Sequence, residues 1–317
     1  MRCRAIYGIV VDVASDNDEN EEASDFDIFS LSFKVLLTSS LSLENQFNSN
    51  GCVPIEPFAA GGVCDCNMYN NRILQSIALL LLIASTFCVA KDLPEGFNKC
   101  KRDSSFDKCL VDAVNKAIQV LKTGNKEFGI PPLEPLAVKS LVIDAGTAPI
   151  NLRQTLKNVL VNDMISTSKI KRYRTDLDNH LIICDSVTDR IEMIGDYEMS
   201  GRILLLPITG NGRANITLVN SKIEHRLIGE PFEKDGVKYM RLKDYRVSFD
   251  PKRVYMHFEN LFNDATLSQT MNRFLNDNWE TVFNELKTGY AKSFGKIFRE
   301  ISNRLFEKVP MDLMFLR

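Results

Sequence analysis

The chain has 317 residues, 44% of them hydrophobic and 25% charged, with 39 Lys/Arg against 41 Asp/Glu for a formal net charge of −2. That apolar content is enough for a sizeable core, and no basic patch is interleaved with stacking aromatics, so nucleic acid is not an expected partner. The charge is uneven: residues 91–317 carry 35 basic and 30 acidic residues, a net +5, so the acidic surplus lies before them.

Residues 1–67 hold the acidic run Asp16-Asn17-Asp18-Glu19-Asn20-Glu21-Glu22, then Ser/Asn-rich text and a Gly/Pro/Cys patch. No period of 3.6 or 2 is sustained, and such composition stays solvated and disordered. Cys64-Asp65-Cys66 is a lone C-x-C without a second ligand pair, too little for a metal site. This leader is expected to be a mispredicted upstream stretch, with Met68 as the true start.

Residues 68–90 are ordered as a secretory signal peptide. Arg72 marks a short basic region, an apolar run extends from Ile73 to Phe87, and Cys88-Val89-Ala90 supplies small residues where a signal peptidase reads. A signal anchor or a buried core helix are the alternatives for the eighteen residues from Ile73 to Ala90. Gln75, Ser76, Ser85 and Thr86 dilute the run, and no basic stop-transfer cluster follows. The expectation is a secreted, extracellular protein starting at Lys91, with no stable membrane insertion after cleavage.

The remaining 227 residues suit one domain. Cys100 and Cys109 are close in sequence and form the natural disulfide in an oxidising compartment. Cys184 is left over in an apolar run and reads as a buried, inert thiol. Ser104-x-x-Asp107 resembles a capping box, and Phe106, Leu110, Val114, Ala117, Ile118 and Leu121 recur at helical spacing, which predicts a helix over 105–123. A Pro-rich connection over 129–136 follows.

Between Leu136 and Asn260 the pattern changes to strands. Candidates cover 138–143, 168–175, 190–199, 202–208 and 214–223. Gly210-Asn211-Gly212, Asp235-Gly236 and Asp250-Pro251 read as turns. Strands without intervening helical text argue for an antiparallel meander, and long antiparallel strands must coil. Asn215-Ile216-Thr217 is a candidate glycosylation site.

The last segment carries an apolar stripe from Leu267 to Leu305, which predicts one helix of about 40 residues, ~60 Å at ~1.5 Å per residue. Its aromatics are too bulky for a tight coiled-coil seam. Gly289 and Gly295 weaken it locally, and allow bending or a close backbone approach, unless they are simply tolerated at the surface. The fold class is therefore α+β, with a curved antiparallel sheet wrapped around a long C-terminal helix. Large aromatic side chains pack imperfectly and can leave an elongated apolar interior, and the candidates to line it come from that helix: Phe274, Val282, Phe283, Leu286, Tyr290, Phe294, Ile297, Phe298 and Ile301.

No nucleophile elbow, zinc-protease helix, phosphate loop or dinucleotide fingerprint is present, so an enzyme is not expected and neither is a cofactor or metal. His180, His225 and His257 are far apart and read as structural or surface residues. The rival classes are a secreted esterase acting on hydrophobic esters and a protein-interaction module without a ligand.

Several ordered motifs carry a family resemblance from Leu93 to Pro310. Leu93-Pro94 and Phe97 precede Cys100 and Cys109, and Gly129-Ile130-Pro131 and Glu134-Pro135-Leu136 follow the first helix. Tyr197-x-x-x-Gly201, Leu205-Leu206-Pro207-Ile208 and Gly210-x-Gly212 come next, then Asn276-x-Asn278-Trp279. The chain resembles the insect takeout and juvenile-hormone-binding protein family. The resemblance implies a long helix wrapped by a strongly curved sheet, like one half of the tubular lipid-binding proteins. It also implies a tunnel for a small hydrophobic ligand, a secreted carrier role, and a link to circadian or feeding physiology. Haemolymph carriers of the family have a second disulfide, and Cys184 has no partner for one, which favours the takeout side. Glu134 stands where the family often has Asp, a change expected to matter little.

Overall fold

Long, shared strands set the architecture. The computed structural model describes residues 91–317 except 148–149 and 204–205. The leader over 1–67, the signal segment over 68–90 and Leu205 of the family motif lie outside the described residues.

A short strand β1 (Cys100–Lys101) leads into helix α1 (Phe106–Val120), which a single 3-10 turn extends to Thr123. The Cys100–Cys109 disulfide ties β1 to the first turn of α1. The expected capping box does not form. Asp103 instead accepts from the backbone and hydroxyl of Ser105, and Asp107 accepts from Thr175 Oγ1 at 2.6 Å, because its carboxylate is drawn across to the sheet.

The main sheet has seven strands: β2 (Leu136–Thr147), β3 (Ile150–Asn162), β4 (Ser168–Asp176), β5 (Leu181–Ile203), β6 (Leu206–Lys234), β7 (Val237–Asp250) and β8 (Arg253–Phe258). All pairings in it are antiparallel, along the path β2-β3-β5-β6-β7. The two longest strands each serve two neighbours on one side. β5 pairs with β4 over its first half and β3 over its second, and β6 pairs with β8 over 214–219 and β7 over 222–234.

Asp235 and Gly236, both at positive φ, make the β6–β7 hairpin, and the chain turns again after Asp250. Gly210-Asn211-Gly212 is not a turn; it lies inside β6, opposite 197–199 of β5. Its glycines answer a different need. The Tyr197 hydroxyl crosses over Gly210 to donate to the Glu259 carbonyl at 2.5 Å, and a Cβ on Gly210 would stand 2.6 Å from that oxygen.

The inward-facing positions change parity midway. In β5 they are 182, 184, 186 and 188, then 191, 193, 195 and 197. In β6 the change falls at Asn220, which adopts φ 51°. This left-handed residue acts as a bulge does, re-aiming the side chains on either side of it.

The C-terminal stripe forms two helices rather than one: α2 (Ala265–Asp277) and α3 (Trp279–Phe306), broken at Asn278. Arg253 supplies the reason. Its guanidinium donates to the Asn276 carbonyl at 2.9 Å and sits over the Trp279 ring, and Asn278 Nδ2 caps the Phe274 carbonyl. These contacts satisfy carbonyls that would otherwise continue the helix. A single turn α4 (Met311–Met314) and strand β9 (Phe315–Leu316), parallel to β1, end the chain.

Helix α3 packs against both β2 and β7, the two ends of the sheet path, so the sheet curls around it without closing. Exposed strand edges are a hazard, and here helices cover them. Each of four asparagines presents its carboxamide to one strand residue's N–H and C=O, as a neighbouring strand would. Asn115 of α1 clamps Ile170 of β4, Asn272 and Asn276 of α2 clamp Phe258 and Met256 of β8, and Asn303 of α3 clamps Leu242 of β7. Glu134 has a similar role, because its carboxylate accepts three backbone N–H groups from the β3–β4 turn at 2.7–3.0 Å.

Candidate functional site

The two halves defined by the parity change are filled differently. Around the second half of β5 and the first half of β6, Val282, Phe283, Leu286 and Tyr290 of α3 pack the interior. Around the other half the interior holds a cavity of about 320 Å³. That is the lower end of the ~300–1,000 Å³ range of small-molecule sites. One wall is α1, through Leu110, Ala113, Ala117 and Ile118. The sheet contributes Ile170, Ile182, Ile223 and Leu227, and the last turns of α3 add Phe298, Ile301, Ser302 and Leu305. Met314 and Phe315 line it as well. A second void of about 10 Å³, room for one water, lies between Met193, Leu218, Phe283, Tyr290 and Phe294. Met164 and Phe249 line both spaces and separate them, with Phe249 edge-on to Phe294 at 5.7 Å.

The nine tunnel candidates therefore divide. Phe298 and Ile301 line the large cavity; Phe283, Tyr290 and Phe294 line the small void. Val282, Leu286 and Ile297 are buried core, and Phe274 packs against the core from α2. Half of the cavity lining comes instead from α1 and strands β4 to β7.

The apolar wall carries a polar row. Tyr173, Cys184 and His225 are direct cross-strand neighbours on β4, β5 and β6. His225 Nε2 lies 3.1 Å from Ser186 Oγ, and its Nδ1 lies 3.0 Å from the Tyr245 hydroxyl. Tyr245 packs in turn on Phe298, with ring centroids 5.6 Å apart.

Burial keeps all these groups uncharged. It holds His225 down to about 4, with the Asp185 carboxylate on the outer face opposing only in part. It pushes the Cys184 thiol up to about 11 and raises the hydroxyls of Tyr173 and Tyr245 well above their ordinary range. Cys184 is thus a buried, unreactive thiol, as its sequence context implies. Among the described residues, no Asp, Glu, Lys or Arg lines the cavity, and no group of three or more acidic, His or Cys side chains is placed to hold a metal.

Sequence reasoning set His225 aside and did not single out Ser186, Tyr173 or Tyr245. A signal was present: alternation through Ile182, Cys184 and Ser186 puts thiol and hydroxyl on the apolar face. Of the other histidines, His180 lies in the β4–β5 turn and His257 on β8. Asn215 lies within β6, and its amide nitrogen donates to Glu192 at 3.0 Å.

Among the described residues, no helix is long and apolar enough to cross a membrane. The family model described as "Haemolymph juvenile hormone binding protein (JHBP)" matches residues 76–316. The chain is 25% identical over 256 residues to "Circadian clock-controlled protein daywake" of Drosophila melanogaster, covering 77% of this chain and 96% of that one. It is 24% identical to the Drosophila yakuba protein of the same description, covering 75% and 94%. Its structure is similar to the crystal structure of Epiphyas postvittana Takeout 1, with a TM-score of 0.62 at 27% identity over 69% of this chain and 99% of that one.

Proposed function

Because the chain belongs to the takeout and haemolymph juvenile hormone binding protein family, we propose that it is a secreted carrier that reversibly sequesters one small hydrophobic molecule. The family's fold is one that carries hydrophobic ligands. The observation that supports the reading for this chain is the cavity of about 320 Å³ enclosed by apolar side chains of α1, the sheet and α3. A terpenoid of the juvenile hormone kind, a fatty acid or another lipid is the ligand class. Burying about ten methylenes at ~0.8 kcal/mol each yields ~8 kcal/mol gross, a dissociation constant on the order of 1 μM before the costs of immobilisation. A polar anchor would tighten that.

Export from the cell, cleavage before Lys91 and a glycan on Asn215 belong to the same reading, as does control by the circadian clock, from the descriptions of the Drosophila relatives. Native mass spectrometry of protein purified from its own tissue tests the carrier. A retained lipid supports it; an empty site refutes it and favours a protein-interaction role. N-terminal sequencing of the same material tests the start, because any peptide from residues 1–67 refutes cleavage before Lys91.

One geometry favours a second reading, an esterase. Ser186 Oγ and His225 Nε2 stand at the separation of a nucleophile and its base. Two facts make it the weaker reading. His225 is held at about 4, a poor base near neutrality, and its other nitrogen faces the Tyr245 hydroxyl where a hydrolase places a carboxylate.

A further inference from the structure

The polar row on the cavity wall has a countable supply of hydrogens. Ser186, neutral His225 and Tyr245 carry one N–H or O–H hydrogen each, three in all. Their two mutual contacts, at 3.1 and 3.0 Å, use two. If His225 carries its proton on Nε2, it donates to Ser186 and receives from Tyr245, which leaves the Ser186 hydrogen free. If the proton is on Nδ1, it donates to Tyr245 and receives from Ser186, which leaves the Tyr245 hydrogen free. Either tautomer spares one hydroxyl donor, and the oxygen at that end retains a lone pair for a ligand hydroxyl.

The same wall offers nothing to a charge. Among the described residues its lining has no cation, and the adjacent Tyr173–Cys184 pair is neutral as well. The Asp185 carboxylate lies on the outer face of β5, tied to Arg172 and Arg174, and at Cys184 its effect outweighs that of Arg174. An entering carboxylate would lose its hydration and gain no counter-charge. A neutral carbonyl, ether or hydroxyl loses far less and recovers a full hydrogen bond.

We propose that the Ser186–His225–Tyr245 relay anchors the ligand by an uncharged oxygen group, an ester, ketone, ether or alcohol, and turns away the carboxylate of the same skeleton. This rests on the carrier reading and narrows its ligand class to neutral oxygenated lipids, against free fatty acids.

The test is displacement of a fluorescent apolar probe from the delipidated, purified protein at pH 7, with decane, decanol, methyl decanoate and decanoate as competitors. Decanol and methyl decanoate should bind about tenfold tighter than decane, the worth of one hydrogen bond. Decanoate should bind at least about tenfold more weakly than its methyl ester. In the triple variant Ser186→Ala/His225→Leu/Tyr245→Phe, which removes every donor and acceptor of the relay, the alcohol and ester should fall to within about twofold of decane. A native circular dichroism spectrum shows that the variant is folded. Decanoate binding as tightly as its ester overturns the proposal, and so does a folded triple variant that keeps the polar preference. Conversion of methyl decanoate to decanoate overturns it in favour of catalysis. If decane and all three relatives fail to displace the probe, the carrier reading falls with it. Decane binding without polar discrimination sinks the anchor alone.

Discussion

Gly295 of α3 lies directly against the backbone carbonyl of Tyr245 in β7, so helix and strand meet main chain to main chain. Gly289, six residues earlier, allows close approach on the opposite side, against a side chain, where a Cβ would stand 2.8 Å from Ile143 Cγ2 of β2. The two glycines let one helix nestle between the first and last strands of the sheet path. They also settle what the sequence left open, because both serve close approach and neither is a surface glycine.

Gly295→Ala should therefore destabilise the protein although alanine is the better helix former by about 1 kcal/mol. The added methyl must push α3 off β7, an overpacking cost of about 1–3 kcal/mol beyond that gain. Because Tyr245 moves with its carbonyl, ligand affinity should fall too. Urea denaturation decides; a variant as stable as the parent would contradict the contact.

The asparagine clamps predict a second loss. Asn276→Leu keeps the size of the side chain but leaves the Met256 N–H and C=O without their partner. The expected cost is about 2–4 kcal/mol. Faster amide hydrogen exchange confined first to β8 would show that α2 guards that edge. Uniform exchange across β7 and β8 would not fit.

Acid should weaken the fold through His225. Its ordinary value is 6.5 and the folded protein holds it at about 4. Between those values the unfolded chain takes up a proton that the native chain refuses. The stability contributed by neutral His225 is thus fully present above pH 6.5, declines as pH falls toward 4, and levels off below. The whole decline is up to about 3 kcal/mol. His225→Gln should flatten that limb. An equal slope in parent and variant between pH 6.5 and 4 would assign the effect elsewhere.

Phe249 stands between the cavity and the small void beyond it. Phe249→Ala should join them and shift preference toward longer chains, at a stability cost of about 3–5 kcal/mol. A series of straight-chain alcohols measures this, and an unchanged optimum would show that another side chain seals the passage.

Much of this architecture was legible in the residues. Helix α1, the antiparallel strands, the hairpin at Asp235-Gly236 and the apolar C-terminal stripe all follow from local spacing, and the wrapped sheet follows from combining them. What was not legible depends on partners distant in sequence. The break at Asn278 is made by Arg253, the capping residue Asp107 is diverted by Thr175, and the glycines at 210 and 212 make room for Tyr197 and Glu259 and do not form a turn. The site was half legible for a related reason. Helical periodicity pointed to α3, of whose candidates Phe298 and Ile301 line the cavity and Phe283, Tyr290 and Phe294 the small void. The face that β5 and β6 present is decided at Asn220, whose backbone conformation no alternation rule reveals. So the polar wall residues were hidden in strands whose inward side reverses midway.

The lengths of β5 and β6, 23 and 29 residues, have a further consequence. Empty space deprives the atoms around it of attractive contacts and invites collapse. Here the walls of the hollow end are continuous with strands embedded in solid packing at the other, as a cantilever is fixed in masonry. A hollow held in this way keeps its shape whether or not a ligand fills it.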